Sequence, residues 1–305
     1  MKVLLNYLRL NRSPDLHDRR HDAGTNNRPL PGTPVIGAPA LEHADRSQRV
    51  LSDGGRYRFA AQHALTIRSA NAIYSFIPKN ACSTMRYSLA LANGCISGET
   101  DIGWIHRNNA TFRANLQELI AAEYTFIILR CPFARLASFY LDKLVTARPI
   151  DRTHVGKAYL AMSSRKDEDI TFEDFVRDLE EKNLVSRNMH WRPQSDFLVY
   201  SEYDDYFCVE DFATAERALR ERIGLEIHDT RPLLDRHGGH YEKIGCASEY
   251  SLTPAPELAK LKRIGKVPEL RALYSDASIA RVRRIFAADC VLFRERCGRR
   301  TTFDS

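Results

Sequence analysis

The sequence predicts an α/β fold in which a central parallel sheet is flanked by helices. Strand-like and helix-like segments alternate from Arg56 onward, and two of them follow the order strand, polar turn, helix. The 305 residues are 44% hydrophobic and 28% charged, which is ordinary globular usage and excludes a disordered or fibrous chain. No apolar run reaches the roughly 18 residues of a transmembrane helix, so we expect no membrane span.

Two regions of different character divide the chain. Residues 1–55 are rich in Pro, Gly, Arg, Asp and His and show no sustained period, which predicts an irregular N-terminal lead-in. Residues 56–300 carry the alternating elements and are long enough for one large domain.

The first strand–turn–helix unit begins with residues 72–77. These residues are mostly β-branched, aromatic or small, and Pro78 stops the run, which predicts a buried strand. A loop of Lys and small polar residues follows over 79–84, and a helix is predicted from Met85 to Ala92.

The second unit begins with the buried strand Tyr124–Leu129. Arg130 follows the strand, and Pro132 occupies a position where a first helical residue tolerates proline. Apolar residues then recur at helical spacing as far as Leu144. Since the carboxyl ends of parallel strands share one sheet edge, we expect the turns of both units to lie together.

Further elements are predicted after the second unit. Thr171 is the predicted cap of an amphipathic helix, and residues 206–209 form a predicted strand. A helix over 213–223 is expected to end at Gly224, and a last helix near 278–294 carries a core-facing apolar stripe.

The charge and the cysteines limit the classes of function. The formal net charge of +6, from 45 basic and 39 acidic residues, suits an anionic ligand but is too small to argue for nucleic acid. Seven cysteines without a CxxC pair disfavour a zinc ribbon and a complete disulfide framework, so a reducing compartment is expected.

Both turns have the chemistry of anion sites. In the first, backbone N–H groups, a helix N-terminus and the Lys79 ammonium would converge, although the GxxxxGK[ST] motif is absent. In the second turn, Arg130 offers a planar guanidinium with several N–H donors, and Ser138 offers a hydroxyl about two helical turns further along the chain. Together these groups suit a phosphate monoester. Taken singly, Lys79 could be a solvated loop lysine, Ser83 a helix cap and Arg130 an ion-pair partner.

Residues 78–84 and 129–140 together resemble the two donor-binding segments of the carbohydrate sulfotransferase family that uses 3′-phosphoadenosine 5′-phosphosulfate (PAPS). Weaker similarities are found at residues 190–194, at the end of the 206–209 strand, and at Asp289 and Phe293, so the resemblance covers roughly residues 73–293. The second segment has every position of the family pattern Arg-x-Pro-x-x-Arg-x-x-Ser-x-Tyr: Arg130, Pro132, Arg135, Ser138 and Tyr140.

The resemblance implies a P-loop-like sulfotransferase fold related to nucleotide kinases, with residues 56–300 as the catalytic domain. It also implies in-line transfer of a sulfuryl group from PAPS to a carbohydrate hydroxyl without a metal, since sulfuryl carries less charge than a γ-phosphoryl group. Arg130 and Ser138 would hold the 3′-phosphate, and Lys79 would neutralise charge on the leaving phosphate. The residues expected to wrap the 5′-phosphosulfate are Lys79, Asn80, Ala81, Cys82, Ser83 and Thr84.

A general base must take the proton of the acceptor hydroxyl, and histidine is the first candidate. His106 lies between the donor segments, where related enzymes tend to place a catalytic histidine, and is favoured as the base. His190 is the second candidate, because the adjacent Trp191 ring could stack on a sugar. Each could instead be a structural imidazole, in which case a Glu or Asp would act.

Three other functions remain open at the level of sequence. A sulfotransferase acting on a lipid, small alcohol or tyrosine would share the donor motifs, because acceptor specificity lies in loops. The second alternative, a P-loop kinase, is disfavoured because the GxxxxGK[ST] motif is missing. The third alternative is a protein that binds the nucleotide but catalyses no transfer. The cysteines and the lack of an N-terminal anchor favour a bacterial, cytoplasmic enzyme, or a Golgi enzyme whose anchor has been removed.

Overall fold

The computed structural model describes residues 40–42, 54–98, 102–108, 110–146, 150–165, 169–233 and 241–304. The predicted lead-in falls almost entirely outside these ranges, so its boundary near residue 55 stays a prediction.

A four-stranded sheet forms the centre of the described chain. Its strands are β1 (Ala64–Ile67), β2 (Ala72–Ser75), β3 (Tyr124–Leu129) and β4 (Asp205–Cys208), in the spatial order β1-β2-β3-β4. Strands β2, β3 and β4 are parallel, as the sequence predicts, and β1 pairs antiparallel with β2 at one edge. Every residue of β2 and β3 is buried, as expected for strands that are covered on both faces.

Helices cover both faces of this sheet, which confirms the predicted α/β class. A second, two-stranded parallel sheet joins β5 (Glu242–Ile244) to β6 (Lys266–Pro268). The helices are α1 (Gly55–Ala61), α2 (Cys82–Ala92), α3 (Trp104–Arg107), α4 (Leu116–Ala121), α5 (Pro132–Lys143), α6 (His154–Ser163), α7 (Phe172–Glu181), α8 (Phe212–Ile223), α9 (Ala255–Arg263), α10 (Leu270–Leu273), α11 (Asp276–Ile285) and α12 (Ala287–Cys297).

Alternate residues of each strand enter two separate hydrophobic cores, because successive side chains of a strand point to opposite faces. Tyr74 and Phe126 belong to one core, which holds the buried faces of α2, α3 and α8. Ile73 and Ile127 belong to the other, which holds those of α5, α7, α11 and α12. The carboxyl ends of β2 and β3 are adjacent, since Ser75 is in register with Ile127, and this brings the two turns together.

Several predicted boundaries are confirmed. The strand Tyr124–Leu129 and the helix that begins at Pro132 are found as predicted. Thr171 caps α7 in a capping box with Asp174, and Gly224 ends α8 with a φ of 64°.

Strand β4 and helix α8 each begin one residue earlier than predicted, and three other boundaries differ by more. Helix α2 begins at Cys82 rather than Met85, because Ala81 adopts a left-handed conformation (φ 54°) that starts the helix earlier. The strand predicted over 72–77 ends at Ser75. The predicted helix 278–294 is two helices, α11 and α12, which are separated at Phe286 (φ −116°, ψ 30°), a residue whose side chain is buried in the core.

Candidate active site

A cavity of about 790 Å³ opens at the carboxyl edge of the sheet, where the two turns meet. It brings together all but one of the residues that the sequence predicts for the site. These are Lys79, Ala81, Cys82, Ser83, Thr84, His106, Arg130, Ser138 and His190.

The turn between β2 and α2 lines the cavity and leads into the N-terminus of the helix. Lys79 (φ 74°) and Ala81 (φ 54°) both adopt the left-handed region, which is uncommon for residues other than glycine and reverses the chain sharply before the helix. The N-cap residue of α2 is Ala81, whose methyl group cannot accept a hydrogen bond. The first N–H groups of an α-helix have no intrahelical partner, so with the helix dipole they make the start of α2 a candidate anion site.

Asn80 is the predicted ligand whose side chain the structure does not bring to the cavity. It is fully buried, and its Nδ2 donates to the Ile128 carbonyl (2.8 Å) and to Gln194 Oε1 (2.7 Å). Its backbone N–H donates to the Ile77 carbonyl. Asn80 therefore ties the turn to the end of β3.

Lys79 is held by an ion pair inside the cavity. Its Nζ lies 2.9 Å from Asp142 Oδ2, which is also 3.0 Å from Lys143 Nζ, and the side chains of Lys79 and Asp142 are only 11% exposed. Burial favours the neutral form of Asp142, but the two ammonium groups outweigh it and hold the pKa of this carboxyl well below its usual range. Lys79 is therefore a buried cation rather than a solvated loop lysine.

Arg130 and Ser138 line the same cavity from β3 and α5. The Arg130 guanidinium links the second turn to the first, because its Nη1 donates a hydrogen bond to the Lys79 carbonyl at 2.8 Å. Burial lowers the pKa of Arg130, although the nearby Glu210 opposes this shift. Within the described residues Arg130 forms no ion pair closer than 4 Å, so it retains donors for an anion.

Gln194 joins the two turns, a role that the sequence analysis does not identify. Its Oε1 accepts from Asn80 Nδ2 and from the Arg130 N–H (3.0 Å), and its Nε2 donates to the Arg130 carbonyl (2.8 Å). The carboxylate of Asp289 accepts from the backbone N–H groups of Gln194 (2.7 Å) and Ser195 (3.0 Å). In the sequence, the family resemblance at residues 190–194 and at Asp289 is the signal for this network.

Arg135 also holds the backbone around the site in place through hydrogen bonds to two carbonyl groups. It is almost completely buried, and its Nε donates to the Pro78 carbonyl (3.0 Å) while its Nη1 donates to the Arg192 carbonyl (2.7 Å). This residue of the family pattern therefore connects the first turn to the segment that carries His190.

The two candidate bases have different surroundings. His106, on α3, is exposed, whereas His190 is partly buried and lies close to the charges of Lys143 and Lys79. Burial, with these two ammonium groups, lowers the pKa of His190 to about 4, so its ring is neutral at pH 7. His190 Nδ1 lies 2.9 Å from Asn188 Oδ1, which can only accept; Nδ1 therefore carries the proton, and Nε2 has a free lone pair.

One wall of the cavity was not predicted from the sequence. It is formed by the start of α8 and by the segment 227–231, which includes Ile227 and Thr230. The Thr230 hydroxyl lies 3.1 Å from the Thr84 hydroxyl, so this segment packs against the first turn of α2.

Two general features concern the described chain as a whole. Within the described ranges, no group of three or more His, Cys, Asp or Glu side chains is placed to hold a metal ion. No described helix has both the length and the apolar character needed to span a bilayer.

The fold and the cavity define an α/β protein with two candidate anion sites at one edge of its sheet. The sulfotransferase family model matches residues 62–294, and the chain belongs to this family. Carbohydrate sulfotransferase 14 of Danio rerio is 25% identical over 187 residues, which are 55% of this chain and 50% of that protein. The enzymes of the same name from Mus musculus and Homo sapiens are each 27% identical over 150 residues, which are 46% of this chain and 40% of theirs.

The chain thus spans about half the length, or less, of the curated relatives it matches. No solved structure shows a significant match to it.

Proposed function

We propose that this protein transfers a sulfuryl group from PAPS to a hydroxyl group of a carbohydrate. One observation carries the proposal: a single cavity contains both the uncapped N-terminus of α2 with Lys79 and the Arg130–Ser138 pair. PAPS has two anionic groups separated by a ribose, and these two anion sites suit them. The family membership and the names of the relatives support the same reaction.

The donor fits the chemistry of the residues that line the cavity. The N–H groups at the start of α2 and the Lys79 ammonium would hold the 5′-phosphosulfate, with Ala81, Cys82, Ser83 and Thr84 forming the backbone of that cradle. Arg130 and Ser138 would hold the 3′-phosphate. Asn80 supports the cradle from beneath and does not contact the donor with its side chain.

When bound, the donor supplies the sulfuryl group: the acceptor oxygen forms a new bond to sulfur while the bond from sulfur to the 5′-phosphate oxygen breaks. Lys79 stabilises the negative charge that grows on that phosphate oxygen. To do so, its ammonium exchanges part of its contact with Asp142 for contact with the phosphate. Lys143 then remains as the counter-ion of Asp142.

His190 is the better placed of the two histidines to accept the proton of the acceptor hydroxyl. Its tautomer is set by Asn188, which leaves Nε2 as the proton acceptor, and its ring lies on the cavity wall. Negative charge near Lys79 and Lys143 would offset their repulsion and raise the pKa of His190 toward neutrality, where a base is most effective. His106, which the sequence favours, is the alternative base on the same cavity.

The names of the relatives bear on the class of the acceptor. The relatives are named as carbohydrate sulfotransferases, which favours a sugar hydroxyl over a lipid, small alcohol or tyrosine hydroxyl. A reducing, cytoplasmic location and a metal-free reaction stay predictions from the sequence.

A screen with ³⁵S-labelled PAPS tests the proposal. The purified chain is incubated with oligosaccharides, lipids, small alcohols and a tyrosine peptide, and the Lys79→Ala variant serves as the inactive control. We expect label on oligosaccharides alone. Label on another class would overturn the carbohydrate assignment. Magnesium-dependent ATP binding with no label transfer to any acceptor would instead indicate a kinase-like nucleotide site.

A further inference from the structure

Arg86 is a buried cation on the cavity wall that the donor site does not use. It lies in the second turn of α2, is only 6% exposed and lines the cavity. Its Nη2 is buried without a hydrogen-bond partner, and no carboxylate among the described residues forms an ion pair with it. The Phe76 ring lies against the guanidinium, with its centroid 5.5 Å away, and the side chains of Cys82 and Tyr74 lie near it.

A charged guanidinium in such surroundings is costly to the folded protein, since its desolvation is not offset by a counter-ion. Burial accordingly lowers the pKa of Arg86. The Tyr74 hydroxyl, on the neighbouring strand β2, is also buried with no hydrogen-bond partner within the described chain. An anionic ligand that reached Arg86 would supply the missing counter-charge.

The position of Arg86 on α2 separates it from the proposed donor contacts. The 5′-phosphosulfate cradle is formed by the first N–H groups of α2, whereas Arg86 lies one turn further along the helix, on the same face as Cys82. Thr84 and Ser88 lie on the opposite face, where they contact Thr230 and the His228 N–H. The donor's two anionic ends already have partners in Lys79 with the cradle and in Arg130 with Ser138.

We propose that Arg86 forms an acceptor subsite, in which its guanidinium binds an acidic group, a carboxylate or a sulfate ester, on the carbohydrate that receives the sulfuryl group. The planar fork of arginine matches the two oxygens of such a group, and low exposure strengthens the pairing. This inference rests on the proposed function and narrows its substrate class to acidic sugars. Arg86 is thus a specificity-determining residue, and a neutral sugar of the same shape binds less well.

The test compares the wild-type protein with Arg86→Gln and Arg86→Lys. Arg58→Gln, a change at an exposed arginine outside the cavity, is the matched control. The probes are a hexuronate-containing oligosaccharide and the same oligosaccharide after its carboxyl groups are reduced to alcohols. Calorimetry measures the binding of each sugar to protein saturated with adenosine 3′,5′-bisphosphate, and KM and kcat are measured with PAPS.

In Arg86→Gln we expect the affinity for the acidic sugar to fall at least ten-fold, and its KM to rise equally, with kcat and the adenosine 3′,5′-bisphosphate affinity changed less than two-fold. Arg86→Lys should restore part of the affinity, because it keeps the charge without the fork. The reduced sugar should bind wild type and Arg86→Gln equally.

Two outcomes overturn the inference. An equal loss for both sugars would make Arg86 a structural residue, and a loss of nucleotide affinity like that of Arg130→Ala would make it a donor ligand. If wild type binds the acidic sugar through Arg86 but transfers no sulfuryl group, the proposed function fails while the subsite stands.

Discussion

Replacing Gln194 with leucine should destabilise the protein strongly, although the side chain is of similar size. Gln194 is 1% exposed, and its amide makes three hydrogen bonds: from Asn80 Nδ2, from the Arg130 N–H and to the Arg130 carbonyl. Leucine removes all three. Asn80 Nδ2 keeps its bond to Ile128, but both backbone groups of Arg130 lose a partner.

The size of this effect follows from these groups. A buried backbone group that loses its partner costs about 1–3 kcal/mol, so two such groups with a third lost bond predict a loss of about 3 kcal/mol in the free energy of unfolding. Urea denaturation, followed by fluorescence of the two tryptophans, measures it. Gln62→Leu, at an exposed position, is the control and should change stability by less than about 0.5 kcal/mol.

The same substitution should also weaken adenosine 3′,5′-bisphosphate binding, because Gln194 fixes the backbone on which Arg130 is carried. If Gln194→Leu unfolds within about 0.5 kcal/mol of wild type, the inference that Gln194 holds the two turns together is wrong.

Three further predictions concern single side chains. Lys79→Ala should lower kcat far more than it weakens adenosine 3′,5′-bisphosphate binding, whereas the control Lys157→Ala, at an exposed site on α6, should change neither. A loss confined to nucleotide binding would mean that Lys79 binds the donor without stabilising the transition state. If His190 is the base, its neutral form is active. The kcat/KM for PAPS, which reports the free protein, should then hold from pH 7 to about 5 and fall as the pH drops through about 4, the pKa of His190 before the donor binds. His190→Ala should lower kcat by about 10²–10⁴, and a normal kcat in that variant beside an inactive His106→Ala would exchange the two roles. Burial lowers the pKa of His63 to about 4, so the unfolded chain binds a proton that the folded chain does not as the pH falls below about 6.5. His63 should therefore lower the free energy of unfolding by about 2 kcal/mol between pH 7 and 5, and His190, whose pKa is also about 4, adds to the same slope. His63→Phe should remove about half of this pH dependence, and an unchanged slope in urea titrations at the two pH values would contradict the role of His63.

The sequence predicts the elements that local pattern determines. Strand Tyr124–Leu129 is found as predicted, because a continuous apolar run is bounded by Arg130 and by a proline. The sequence also predicts that the two turns lie together. Strands β2 and β3 are parallel neighbours, so the turns that follow them are at the same edge of the sheet.

What the sequence does not predict depends on contacts between distant residues. The Asn80–Gln194 hydrogen bond joins positions 114 residues apart, and the Gln194–Asp289 bond joins positions 95 residues apart, so no local pattern indicates either. For this reason Asn80 is expected from its place in the motif to contact the donor, whereas its side chain points into the protein. Likewise, the early start of α2 depends on the left-handed conformation of Ala81, which alanine rarely adopts.

Recognition of PAPS through separate 5′ and 3′ anion sites in the cavity can be measured by calorimetry with nucleotides that differ only in the 3′-phosphate. Wild-type protein should bind adenosine 3′,5′-bisphosphate far more tightly than adenosine 5′-phosphate. Arg130→Ala should remove most of that difference, since a lost charge-assisted hydrogen bond weakens binding by about ten- to a hundred-fold. Arg58→Ala, at an exposed site, should retain it. Equal wild-type affinities for the two nucleotides would contradict the assignment of Arg130 and Ser138 to the 3′-phosphate, and with it the account of this site.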